Sequence, residues 1–596
     1  METGNPHQTA HWKRWLFAIW VLMCCALIAF RWQNIHFLIL ADTDDNLRLA
    51  QVKAWLGGQG WYDLRQYRLD PPRGADIHWS RLVDLPLAGI MLALKPFIGW
   101  LDAERAAIAV APLLPFGVAT LGITLAARRL VAQGAWAFAV ALLICAPATM
   151  NMFMPTRIDH HGWQLAFLAL TLAGLVDDRR VRGGIIVGLA TAASLAIGLE
   201  MLPYLAICGA AAALRWIIDR EDAALVRAYG AALAAGTGMA YLVFASYANR
   251  VPRCDALSPV WLSVMVIAGA LLVMLSVLRD SRAMVRLGAA GIAGGVIVAF
   301  FVLSWPQCLG RPEGISDELY KAWFVNIREV RPLYVQSLST ALSTAALPVM
   351  GLIGTFWMLR RDRAHFALWG PFALLNLLST GLLLWQTRAG AGAQLLAVPG
   401  ATALAWHIIP RLSRSRMFLV RVFGVIAAFL VISGLIVNLT VSYLPAAKPK
   451  AKASTERKLA TVRSADARCP TLAALRPIAK LPPATIFTFV DIGPRLIAMT
   501  SHAAIAGPYH RNGQAILDVY HVFRGSPDRA RGIVDAHKAS YVLICLNSPE
   551  ATNHRRFAPN GLYAQLEKGI VPAWLSPVAL PKDSPYRMWR VAPAGK

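Results

Sequence analysis

The stretch MPTRIDHHGW, residues 154 to 163, sets how the chain is read. It lies between two apolar runs, and one acid and two histidines, Asp159, His160 and His161, stand at the joint. Charged groups there are costly in hydrocarbon, so they mark the mouth of a span and a candidate functional site. Similar apolar runs recur from residue 15 to residue 440. The chain is 57% hydrophobic and 15% charged, against about 25% charged residues in an average soluble chain. This pattern predicts a polytopic α-helical membrane protein.

On either side of that stretch, the expected spans are 15–39, 106–126, 133–153, 163–176, 183–198, 201–217, 229–247, 260–277, 286–304, 338–358, 364–384, 390–409 and 418–440. They make about 13 transmembrane helices. Lys13 and Arg14 precede the first, and Arg-rich links such as Arg128–Arg129, Arg360–Arg363 and Arg411–Arg416 follow every second span. The positive-inside rule puts these links and the N-terminus in the cytoplasm. Run 83–100 is apolar too, but counting it as a span would throw Arg128 and Arg129 to the far side. We read it as a helix lying along or dipping into the outer face; the alternative is a true span with the miscount elsewhere. The first run is too long for the apolar core of a signal peptide, and no small-residue cleavage site follows it, so it reads as a retained helix.

Three sizeable pieces then lie outside: 40–105, 305–337 and everything after about 441. The expected division is a transmembrane part, 1–440, and a soluble extracytoplasmic part, 441–596. The latter opens with a polar linker, AAKPKAKASTERK. ATIFTFV, PRLIAM and YVLICL read as strands and TLAALRPIAKL as a helix, giving a small α/β or α+β domain. The net charge of +26 serves orientation and contact with anionic lipid headgroups or a pyrophosphate rather than nucleic acid. The 8 cysteines include no CxxC pair, so nothing points to a zinc or iron–sulfur site made of thiolates. Cys254, Cys308, Cys469 and Cys545 fall outside, where 254–308 and 469–545 are possible disulfides and four separate thiols the alternative.

Four outer features carry chemistry. LILADTDDNLRLAQ, residues 38–51, places Asp42, Asp44 and Asp45 just past span 1. Helix capping explains one such acid and not three, so a divalent cation or a basic partner is expected. RIDHH lies on the same face, and Asp159 with His160 or His161 can converge with the first cluster on Mg²⁺ or Mn²⁺; interfacial polar residues are the plain alternative. The loop 305–337 interleaves aromatics with charges, Glu329 among them, and suits a substrate-covering segment. WQTRAG, residues 385–390, sets Arg388 at an outer helix end, where it either binds phosphate or snorkels. Neither G-x-G-x-x-G after a strand nor GxxxxGK[ST] is present, so the donor reads as a lipid-borne phosphate ester rather than a soluble nucleotide.

With these residues in view, the chain resembles the GT-C superfamily of membrane glycosyltransferases, nearest to the catalytic subunit of oligosaccharyltransferase and its bacterial single-chain relatives. The resemblance covers the helix layout over residues 1–440. It implies that DTDDNLR holds the acidic motif after helix 1, with Asp44 the first choice for the catalytic carboxylate and Asp42 next. RIDHH matches the second acidic motif, which implies metal ligands among Asp44, Asp45, Asp159 and His160. Glu329 in REVRP inherits a further catalytic carboxylate, and Arg388 inherits contact with the lipid pyrophosphate. The tail lacks the WWDYG motif that reads the glycosylation sequon and carries SHAAIAGPYHRNG instead. Its His510 and Arg511 either reach a headgroup or form a structural turn. The implied reaction is metal-dependent transfer of a sugar or oligosaccharide from a polyprenyl-phosphate or polyprenyl-pyrophosphate donor. The acceptor is an extracytoplasmic polysaccharide, lipid or protein, and the place a bacterial inner membrane with the tail in the periplasm. A transporter or flippase of a lipid-linked or anionic substrate is the alternative, but the notable charges gather at one face rather than at mid-membrane.

Overall fold

The computed structural model describes residues 11–280, 282–311, 313–443 and 453–593. A helix occupies each of the expected spans. By length and composition, among the described residues, eight helices can cross a membrane, or nine if one bent pair is a single span. Gln133–Ile144, His161–Leu175 and Leu202–Ile218 are apolar but shorter. The chain is thus a multi-pass membrane protein, and thirteen full-length crossings are not reached by length alone. Two interruptions account for part of the difference. The 133–153 run breaks before Pro147, which opens a new short helix, because proline's predecessor avoids the helical region. The last run bends by 84° between Val420–Ile432 and Leu435–Val441, where Gly434 takes φ 75°.

Helices in the bundle approach backbone to backbone. A Cβ at Gly354 would run into the Gly400 carbonyl, one at Gly184 into Leu225, and one at Gly230 into Gly269. Small residues at such crossings let helices close where lipid gives no hydrophobic drive. Around them packs a large apolar core that includes Phe116, Phe153, Trp216 and Trp369. Run 83–100 forms the start of helix Asp84–Val110, interrupted at Gly99 with φ 78°. Its Leu87, Ala88 and Met91 pack with Leu49 and Val52 of the outer helix Thr43–Leu56, and Leu92, Phe97 and Ile98 stay exposed.

Two short strands, β1 (Arg65–Gln66) and β2 (Ala75–Asp76), pair in the first outer loop. The tail carries a five-stranded mixed sheet of β3 (Thr485–Phe487), β4 (Ala503–Ala504), β5 (Tyr541–Cys545), β6 (Leu575–Val578) and β7 (Tyr586–Val591). Its order is β4-β3-β5-β7-β6, parallel on the β4-β3-β5 side and antiparallel across β7. The expected strands at 484–490 and 541–546 are present in part, and 472–479 is helical as expected. PRLIAM is not a strand: Gly493–Met499 is a helix with Pro494 in its first turn, a position where proline's fixed φ favours the helix. Residues 446–452 of the expected linker lie outside the described residues, and its second half begins the helix Ala453–Arg468. Leu47, Leu69 and Trp79 of the first outer loop, Leu319 and Trp323 of loop 305–337, and the tail sheet share one apolar core. Both possible disulfides form, Cys254–Cys308 and Cys469–Cys545.

Candidate active site at the outer end of the bundle

Helix Thr43–Leu56 begins with Asp42 as its N-cap. The Asp42 carboxylate accepts from the Asp44 and Asp45 amides at 2.9 and 3.2 Å, and the Asp45 carboxylate accepts from the Asp42 amide at 3.0 Å. Capping therefore accounts for two of the three acids, one more than the sequence suggested, because the box is reciprocal. Asp44 caps nothing.

RIDHH meets this helix end directly. The Asp159 amide donates to Asp45 at 2.9 Å. Arg157 sits among the acids: it pairs with Asp42, with Asp159 at 2.8 Å and with Asp45 at 3.8 Å. Ligand oxygens of Asp42, Asp45 and Asp159 lie within 4.8 Å of one another. Burial and the neighbouring carboxylates raise Asp44 and Asp45 well above the usual carboxylate range, against the pull of Arg157. Asp159 goes the other way: burial pushes it up, but Arg157, His161 and His160 outweigh that and hold it at about 2. Four carboxyl groups thus gather around one guanidinium and share the negative charge unequally: Asp159 is held ionised, while ionisation of Asp44 and Asp45 is disfavoured.

The remaining expected residues take distinct places. His160 turns to Glu200 at 3.2 Å, and Glu200 also accepts from Gln164 at 2.8 Å. Glu329 is exposed on a turn of loop 305–337, and its charge is among those raising Asp44. Arg388 donates to Gln386 at 2.6 Å. Its neighbour Thr387 donates from amide and hydroxyl to the Arg331 carbonyl at 2.8 and 2.7 Å, tying WQTRAG to the REVRP segment. His510 and Arg511 both engage Asp255, at 2.6 Å and in a fork at 2.8 and 2.8 Å. The tail nonetheless reaches the acidic helix: the Tyr509 hydroxyl donates to the Thr43 carbonyl at 3.0 Å. Arg495 donates to the Leu38 carbonyl at 2.6 Å and to Asn46 at 3.1 Å.

Sequence reasoning gave no role to Arg157, Glu200, Asp255, His78 or Trp79. Arg157 stands in the 154–163 stretch, and its spacing from two acidic clusters is the available signal. Glu200 is legible as an acid in a short outer connector between apolar runs. Trp79, which packs against His160 and Tyr509 and under Arg48, carries no signal in a single sequence.

No family model matches the chain, and no curated protein matches it in sequence. Solved structures do match. The oligosaccharyltransferase AglB from Archaeoglobus fulgidus, in complex with an inhibitory peptide and a dolichol-phosphate, superimposes with a TM-score of 0.66 at 15% identity, over 95% of this chain and 73% of that one. The same organism's enzyme tethered to an acceptor peptide containing the NVT sequon gives 0.65 at 13% identity, over 93% and 72%. Its complex with zinc and sulfate gives 0.61 at 15% identity, over 92% and 70%. At such identities the likeness establishes a shared fold, the one the sequence resemblance implied.

Proposed function

We propose that this chain transfers a sugar or oligosaccharide from a polyprenyl-phosphate or polyprenyl-pyrophosphate donor to an extracytoplasmic polysaccharide, lipid or protein. The observation that carries the proposal is the meeting of two acidic segments, 42–45 and 157–159, at one end of a helical bundle. The neighbour of the same fold that holds dolichol-phosphate supports a lipid-borne donor.

The acidic cluster fits a divalent cation. Its donors are hard carboxylate oxygens within 4.8 Å, the chemistry that suits Mg²⁺ or Mn²⁺. Asp42, Asp45 and Asp159 would hold it. Bound there, it would supply positive charge for a leaving phosphate. The chain's own residues divide the rest of the work. Asp44, free of capping duty, takes the proton of an acceptor or holds it in place. Arg388 offers a planar fork to phosphate. Loop 305–337 shares a core with the tail through Leu319 and Trp323 and is bonded to WQTRAG at the Arg331 carbonyl; it would cover a bound donor, with Glu329 acting on Asp44 by its charge. The expected setting is a bacterial inner membrane with the N-terminus in the cytoplasm and residues 441–596 outside.

The test uses purified full-length protein and labelled polyprenyl-phosphate and polyprenyl-pyrophosphate sugars. Transfer that needs Mg²⁺ or Mn²⁺ and stops in chelator is expected. Undiminished transfer in chelator refutes the cation. Uptake into vesicles without covalent change to the lipid refutes the transferase.

A further inference from the structure

A second constellation stands beside the acidic cluster, and the metal site argued for it does not require the proposed reaction. His78 comes from the first outer loop, Asp255 from the segment just after Cys254, and His510 from the tail. One ligand atom of each lies within 4.8 Å of the others. The His78 and His510 rings are 4.7 Å apart between centroids. We propose that His78, Asp255 and His510 form a zinc site that staples the tail to two outer loops beside the acidic cluster.

The donor set argues for the metal. Two imidazoles and one carboxylate suit zinc, with a fourth position left for water. The oxygen-only cluster at 42–159 suits Mg²⁺ or Mn²⁺ instead. Imidazole ligates through a neutral ring nitrogen, so a metal here replaces a proton rather than adding to one. Asp255 is held as ligating carboxylates usually are, by a partner behind it: Arg511 forks both its oxygens at 2.8 Å. His510 already lies 2.6 Å from Asp255, so a metal there takes the place of the shared proton.

An ion pair alone accounts for less. The Arg511–Asp255 fork is complete without His78. Among the described residues, the His78 imidazole makes ring contacts with Trp79 and His510 and no hydrogen bond.

The place gives the staple a purpose. Asp255 is fixed next to the Cys254–Cys308 disulfide, and so to loop 305–337. His510 follows Tyr509, whose hydroxyl meets Thr43 at the head of the acidic helix. A metal joining these segments fixes the tail's reach over Asp44.

The experiment strips full-length protein in detergent with chelator, then adds zinc or cobalt in the presence of excess Mg²⁺. Bound metal per chain, the cobalt spectrum and melting temperature are read. The wild type should retain one zinc that Mg²⁺ does not displace, give the spectrum of nitrogen-ligated cobalt, and melt higher with zinc. His78→Ala and His510→Gln should lose the zinc and the melting shift, while Asp159→Asn keeps both. No retained zinc in the wild type overturns the proposal, as does equal zinc in His78→Ala, or loss confined to Asp159→Asn. Should His510→Gln not fold, His78→Ala and the cobalt spectrum decide, since His78 is half-buried in a loop.

Discussion

The bundle and the mass of loops and tail beside it both bury apolar cores, but differ in what else helps to fix their segments. In the bundle, Gly354 meets Gly400 and Gly230 meets Gly269, backbone against backbone. In the outer mass, charges are buried in pairs. Arg48 and Asp84, both fully buried, bond at 2.9 Å, and Arg81 reaches the same carboxylate at 3.1 Å. Arg157 is shared among Asp42, Asp45 and Asp159. The contrast shows where specificity comes from in each medium. Close packing orders helices in lipid, and paired charges fix register where water was the alternative partner.

Breaking the close packing should have the strongest consequence. Gly400→Leu drives a side chain into Gly351 and Thr355. The cost should exceed the about 1–3 kcal/mol usual for overpacking, because backbone rather than a side chain blocks the way. The expected result is loss of the monodisperse folded species in detergent; a normal elution profile would show that the two helices are not held as described.

Arg48→Ala comes next. It leaves Asp84 buried with Arg81 alone, and removal of one partner from a buried pair costs about 3–5 kcal/mol. A melting temperature equal to wild type would mean that Arg81 suffices.

Asp44→Ala separates chemistry from stability in the same outer mass. Turnover should fall by about a hundredfold or more, roughly 2.7 kcal/mol of activation free energy. The melting temperature should hold or rise, because Asp44 caps nothing and its ionisation is disfavoured by burial. Wild-type turnover would remove it from the site. Asp159→Ala should lose turnover as well, and it leaves Arg157 with one acid fewer.

The mildest change is a slope within the tail. Burial raises Glu550 to about 7 against the pull of the Val490 and Asp491 amides. A folded-state value above the unfolded one makes its contribution fullest below the ordinary glutamate range and lost as pH rises through about 7. Glu550→Gln should therefore stabilise relative to wild type more at pH 8 than at pH 5. A difference independent of pH would show that Glu550 titrates normally.

Parts of this site are legible along the chain alone. DTDD and RIDHH announce themselves because acids beside apolar runs are costly, and that cost is visible in one dimension. WQTRAG and REVRP stand out separately, but the bond between Thr387 and the Arg331 carbonyl joins residues 56 positions apart and leaves no local trace. PRLIAM misleads because a short apolar segment fits strand and helix alike, and Pro494 tips it toward helix. The histidine and arginine of the tail are noticeable for their chemistry, yet their partner Asp255 lies 255 positions from His510.

Hydropathy and charge act residue by residue, and they suffice to dictate a helical membrane protein, its acidic segments and a separate mixed tail after the last apolar run. Chain folding in three dimensions is what sets Arg157 among the acids and makes Asp42 and Asp45 cap one helix reciprocally. It also rests Tyr509 on Thr43 and brings His78, Asp255 and His510 together. Those outcomes depend on which distant segments share a dry space, where an unpaired charge must find a partner, and no pattern along the chain encodes that choice.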